Sequence, residues 1–136
     1  MSDSRFSISI HILTLLAKAN GELLTSDYIA GSININPVLV RNELINLRKH
    51  NLVVSKEGKS GGAYLCKPAG EIYLSDVYRA VKQSDLLSRS KNKPNPHCPV
   101  GRQINTHLTS LYHDAEKALL GQLGKVTLKK FALQFD

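Results

Sequence analysis

Two short apolar runs, Leu52-Val53-Val54-Ser55 and Ala63-Tyr64-Leu65-Cys66, stand on either side of seven residues that include Gly58, Gly61 and Gly62. Runs of four apolar and β-branched residues are too short for helices. Glycines between them permit backbone turns that other residues resist, so the segment reads as a β-hairpin. A strong helix start lies just upstream, at Asn36-Pro37. Asparagine caps, and proline at the first helical position gives up an N–H that has no partner there in any case. The helix that follows places Val40, Leu44 and Leu47 on one face and leaves Arg41, Asn42, Asn46 and Lys49 mostly on the others. A polar, basic helix therefore runs straight into a hairpin with the basic tip Lys56-Glu57-Gly58-Lys59-Ser60.

The elements around this unit follow from periodicity. Phe6, Ile8, Ile10 and Ile12 alternate with polar residues as in a strand, but Ile8, Ile12, Leu15 and Leu16 also keep helical spacing. With Ser2, Asp3 or Ser4 to cap and Gly21 to stop it, the segment is expected to be a helix. A second helix, starting at Thr25 or Ser26 and ending near Gly31, buries Ile29 and Ala30, and a turn over residues 32–35 joins it to Asn36. A fourth helix spans Leu74 to Val81 with Ser75 as its cap. Residues 84–97, polar and containing Pro94 and Pro96, read as a loop. Pro99 opens the longest periodic stretch, in which Ile104, Leu108, Leu111, Ala115 and Ala118 step by four, three, four and three, as in a coiled-coil seam. Gly121 and Gly124 end it, and Thr127 caps a last turn or two carrying Leu128, Phe131, Ala132 and Phe135. Taken alone, the seam also suits packing inside one chain. The expected fold is mainly α with a small β wing: a winged helix-turn-helix over residues 1–83, the loop 84–97, and a dimerisation helix with a tail helix over 98–136.

Charge bears on the partner. The 136 residues carry 18 Lys and Arg against 11 Asp and Glu. Six bases face two acids between residues 37 and 70, whereas residues 1–36 are slightly acidic. Arg89, Lys91, Lys93 and Arg102 form a further acid-free run. An excess of this kind suits a polyanion, because phosphates attract lysine and arginine whatever the base sequence. A solvated basic surface is the alternative, and position separates the two. In a helix-turn-helix the second helix of the pair enters the major groove with its N-terminal residues leading. Here those are Asn36, Val38, Leu39, Arg41 and Asn42. Arginine suits guanine or a phosphate, asparagine suits adenine, and the cap residue Asn36 suits a phosphate. Arg48 and Lys49 fall near backbone phosphates. Lys59, Ser60 and the Gly61-Gly62 backbone reach a flanking groove. Double-stranded DNA is the expected partner.

Leu47-Arg48-Lys49 followed by Leu52-Val53, then Gly58, Gly61-Gly62, Tyr64-Leu65 and Leu74-Ser75-Asp76-Val77, resembles the Rrf-type bacterial regulators, the group of IscR, NsrR and CymR. The likeness covers nearly the whole chain. Asn95-Pro96-His97-Cys98-Pro99-Val100-Gly101 brings it near the cluster-less YwnA-like branch. The resemblance implies a homodimer joined through the long helix, bound to a dyad-symmetric operator and usually repressing. It also implies a bacterial, cytoplasmic protein, in keeping with the absence of a signal-peptide pattern or a membrane-length apolar run.

Members of that family with an iron–sulfur cluster carry three cysteines between the fourth and the long helix. This chain has only Cys98 there, so no cluster and no other cofactor is expected. Cys98 immediately precedes the long helix among Lys91, Lys93, His97 and Arg102, a setting that favours the reactive thiolate. It is the redox candidate, through a Cys98–Cys98 bridge or a sulfenic acid, with an inert small residue as the plain alternative. Cys66, on an apolar strand, is expected to pack. His107 and His113 are six apart and fall on different helix faces, so no metal site is expected. Two rival functions remain open. A thiol enzyme centred on Cys98 would need a histidine–carboxylate pair that the spacing does not supply. A winged module that binds only protein would show neither base selectivity nor salt-dependent DNA binding.

Overall fold

A computed structural model describes residues 4–82 and 90–136. Three helices, α1 (Arg5–Ala19), α2 (Ser26–Ile33) and α3 (Pro37–Lys49), precede strands β1 (Val53–Lys56) and β2 (Gly62–Leu65). A short 3-10 turn (Ala69–Glu71) leads to α4 (Leu74–Val81), the long α5 (Pro99–Leu123) and the tail helix α6 (Leu128–Ala132). This is the mainly helical winged arrangement expected from the pattern. Residues 84–89 of the expected loop, including Arg89, and the possible caps Ser2 and Asp3 lie outside the described residues. Residues 90–98 form no regular element.

Helix α1 lies at the centre. Ile12, Leu13 and Leu16 are fully buried with Ile29 of α2, Val40 and Leu47 of α3, Leu52, Ile72, Val77 of α4 and Leu128 of α6. Burying one such side chain contributes about 1.5–3 kcal/mol, so this shared cluster makes the helices one unit. The strand-like alternation at residues 6–12 is real in the sequence, and burial explains why helix wins. Adjacent Ser9 and Ile10 are buried together, as are adjacent Ile12, Leu13 and Thr14, which a half-buried strand of period two would not give. Thr14 donates back to the Ile10 carbonyl at 2.7 Å. Leu128 binds the head directly, its N–H donating to Ile72 O at 2.7 Å. The tail helix, grouped with the long helix in the sequence reading, therefore packs with the winged head.

Local chemistry corrects several expected boundaries. Ser4 occupies the α1 cap position without a side-chain hydrogen bond, and left-handed Asn20 ends the helix. Helix α2 passes Gly31 and stops at Ile33, again with a left-handed asparagine, Asn34, which leaves a tighter turn into α3. Thr25 caps α2 and Asn36 caps α3, accepting from the N–H of Tyr28 and Val38 respectively. Both strands sit one residue off the expected frame, with Val53 opposite Leu65 and Lys56 opposite Gly62. Cys66 thus falls outside β2 and is exposed rather than packed. Ser75 is buried inside α4, and Asp76 holds the helix start by accepting from Tyr73 N–H at 2.9 Å. Gly121 lies within α5, which ends at Gly124. Phe135 lies beyond α6 and is exposed. Among the described residues, no helix is long and apolar enough to cross a membrane.

Candidate nucleic-acid interface

Helix α3 is held at its start by the Asn36 cap and Pro37, and its apolar stripe faces the core. The opposite side is open. Val38 and Leu39 are about half exposed, and Arg41, Asn42, Arg48 and Lys49 are exposed. Arg41, Ile45 and Arg48, spaced four and three apart, line an open cleft of about 450 Å³. The wing contributes Ser55, Lys56, Glu57, Gly58, Gly61 and Gly62 to it, and Thr25 and Ser26 line it as well. The structure therefore brings Arg41, Arg48, Gly61 and Gly62 to one cleft. Lys59 and Ser60 are exposed at the wing tip beyond it. The wing is held down by a strand partner that periodicity did not show. Leu24, just before α2, exchanges both backbone hydrogen bonds with Ala63, at 2.8 and 3.1 Å.

Four residues of this face lie outside the set expected from sequence. Thr25 and Ser26 looked like capping residues only, and Ile45 fell outside the apolar stripe without a visible role. Lys56, expected only as part of the basic hairpin tip, is the last residue of β1. One expectation needs correction. Asn46 is not a solvent-facing residue: its amide donates to Ala80 O at 2.9 Å and to Glu43 at 3.3 Å. Glu43, an acid on the same helix, is buried against Arg5 and does not oppose the exposed cations.

The long helix presents a second surface. None of its 25 residues is buried in the single chain. Ile104, Leu108 and Ala115 of the seam are partly covered, whereas Leu111 is 59% exposed and Ala118 is also exposed. At the start of this helix, Asn95 forms a tight turn, its side chain accepting from His97 N–H at 2.9 Å and its carbonyl from Cys98 N–H at 3.2 Å. The turn lies so close to the helix that a Cβ on Gly101 would meet Asn95 O at 2.5 Å. Cys98 occupies the cap position and is exposed. Its sulfur makes no capping hydrogen bond of full geometry, but the N–H of Gly101 first, and that of Val100 second, hold the thiol below its ordinary range. No third donor joins Cys98 and His97: among the described residues, no group of three or more His, Cys, Asp and Glu comes together to hold a metal. The donor set around this loop does not fit a three-thiolate cluster.

A helical pair with an exposed basic second helix, flanked by a cationic hairpin, defines a winged helix-turn-helix of the DNA-binding class. The Rrf2 profile, described as iron-dependent transcriptional regulator, matches residues 2–134, and the chain belongs to this family of DNA-binding transcriptional regulators. It is 37% identical over 129 residues to the helix-turn-helix protein YwnA of Bacillus subtilis (strain 168), covering 95% of each chain. It is 30% identical over 127 residues to the transcriptional regulator IscR of Cronobacter sakazakii, covering 93% of this chain and 75% of that one. The fold is shared with CymR, the global cysteine regulator of B. subtilis, at a TM-score of 0.74 and 21% identity over 100% of this chain and 98% of that one.

Proposed function

We propose that the protein is a homodimeric repressor that reads an inverted-repeat operator, works without a resident cluster or catalytic activity, and responds to oxidants through Cys98. The cleft between α3 and the wing carries this reading, because it lines up cations from two elements along one open face. On that reading, Arg41 and Asn42 contact bases, with Val38 and Leu39 beside them. Asn36, Arg48, Lys49, Lys59, Ser60 and the Gly61-Gly62 backbone contact phosphates or a flanking groove. A single winged head binds weakly, and two heads on one dyad multiply affinity. The exposed positions of the Ile104, Leu108, Leu111, Ala115 and Ala118 seam supply a surface for that pairing.

Selection of bound duplexes from a random pool tests the reading, with affinity then measured at two salt concentrations. The expected result is an inverted repeat, bound with an affinity that falls steeply as salt rises. Recovery of no common sequence would favour a module that recognises protein instead. For the thiol, Cys98→Ser is expected to leave reduced-state DNA binding intact and to abolish the response to peroxide. A serine variant that responds like the parent removes Cys98 from sensing.

A further inference from the structure

Helix α3 has a second polar side, turned away from the exposed cations. Glu43 is buried there, and Arg5 of α1 donates to both of its carboxylate oxygens, Nε to Oε2 at 3.0 Å and Nη2 to Oε1 at 3.2 Å. Asn46, three residues on, bridges outward from this pair. Its Nδ2 donates to Glu43 Oε1 at 3.3 Å and to the backbone oxygen of Ala80 at 2.9 Å. Ala80 lies in the last turn of α4, and Lys82, just past that helix, pairs with Glu116 of α5. The remaining packing of α3 on the core is made by Val40, Leu44 and Leu47.

These two kinds of contact constrain the helix differently. Apolar burial is non-directional and tolerates small rotations of a helix about its axis. Charge-assisted hydrogen bonds depend on distance and angle, so they select one rotation. Side chains end roughly 5–6 Å from a helix axis, so a turn of about 10° moves their tips by about 1 Å. Such a shift is enough to break a bidentate base contact. It leaves the attraction of cations for phosphates almost unchanged.

We propose that Asn46, seated on Glu43, is a positioning residue for DNA recognition, locking the rotation of α3 to the last turn of α4. That turn is where the chain departs towards α5, so a displacement of the long helix would reach the base-reading side chains through this link. The inference rests on the DNA-binding reading above.

Asn46→Ala and Glu43→Gln test it, each compared with the parent on two duplexes well below the melting temperature. One duplex is the repeat recovered with the parent protein from a random pool, and the other is a shuffled sequence of equal length and composition. For Asn46→Ala, binding to the repeat is expected to weaken about tenfold, the equivalent of about 1.4 kcal/mol. Binding to the shuffled duplex is expected to change about twofold or less, because no exposed cation is touched. A merely structural role would lower the melting temperature and leave this ratio unmoved. Should Asn46→Ala fail to fold, Glu43→Gln decides, with the same direction expected. In a further arm, Glu116→Gln is expected to shift the side-chain amide resonances of Asn46, and unmoved resonances overturn the link to α5. A parent that selects no sequence overturns the DNA-binding reading and this inference together. A selective parent with unchanged ratios in the variants overturns the inference alone.

Discussion

Glu43 shows how one side chain changes the meaning of a local charge count. It is one of only two acids between residues 37 and 70, and its pairing with Arg5 removes it from the face that carries Arg41, Arg48 and Lys49. On that face Arg41→Ala is expected to cost about 1–3 kcal/mol on the operator and to relax base preference, whereas Lys59→Ala weakens all sequences alike. Competition binding checks this, and equal losses on operator and random DNA would take Arg41 out of base reading. The opposite situation holds at Ser9, whose hydroxyl is buried and, among the described residues, without a hydrogen-bond partner. An orphaned hydroxyl carries a desolvation cost, so Ser9→Ala is expected to leave thermal stability unchanged or raise it by about 1 kcal/mol. A clear loss in calorimetry would refute this. At Cys98 the backbone N–H groups favour the thiolate. The alkylation rate of folded protein is therefore expected to reach half its maximum at lower pH than that of the denatured chain. Because the folded value lies below the unfolded one, the stabilisation from this group is present above the unfolded value. It is lost as pH falls through the folded value. Coincident pH profiles would show that the helix start does not act on the sulfur.

At the scale of elements, the wing depends on close backbone approach. A Cβ on Gly61 would lie 2.2 Å from Lys56 O and 2.9 Å from Gly58 O, both backbone atoms that cannot swing aside. Gly61→Ala is expected to destabilise the hairpin by about 1–3 kcal/mol. Hydrogen exchange reports it directly, since the Ala63 N–H is held by Leu24 O at 2.8 Å. An Ala63 amide as protected as in the parent would show that the wing absorbs the methyl group. The hairpin and its turn were readable from glycines and short apolar runs, and α3 from Asn36-Pro37, because these signals are local. The pairing of Leu24 with Ala63 was not readable, since an isolated bridge has no periodicity. Ser75 misled as a cap for a related reason: serine suits both a cap and a buried helical site, and only the bond from Tyr73 to Asp76 distinguishes them.

Across the whole molecule, α5 extends about 37 Å at 1.5 Å per residue, and none of its side chains is buried by its own chain. A helix of that length with Leu111 and Ala118 exposed is short of partners. On the homodimeric reading proposed above, Leu111→Asp is expected to shift the protein from dimer to monomer in sedimentation. It is also expected to weaken operator binding by about a hundredfold through lost bivalency, with the winged head still folded. A variant that sediments as a dimer would place the interface elsewhere. The long helix, the capped basic helix and the glycine-bounded hairpin were all set by local spacing, because helix periodicity, capping and turn formation depend on residues within a few positions of one another. Contacts between distant segments were decided by tertiary structure alone. Leu128 joins the core beneath Ile72, Glu43 turns inward to Arg5, and Asn46 reaches Ala80 across 34 positions of sequence. Burial and hydrogen-bond geometry exist only once the chain has closed on itself, so no local pattern could have announced them.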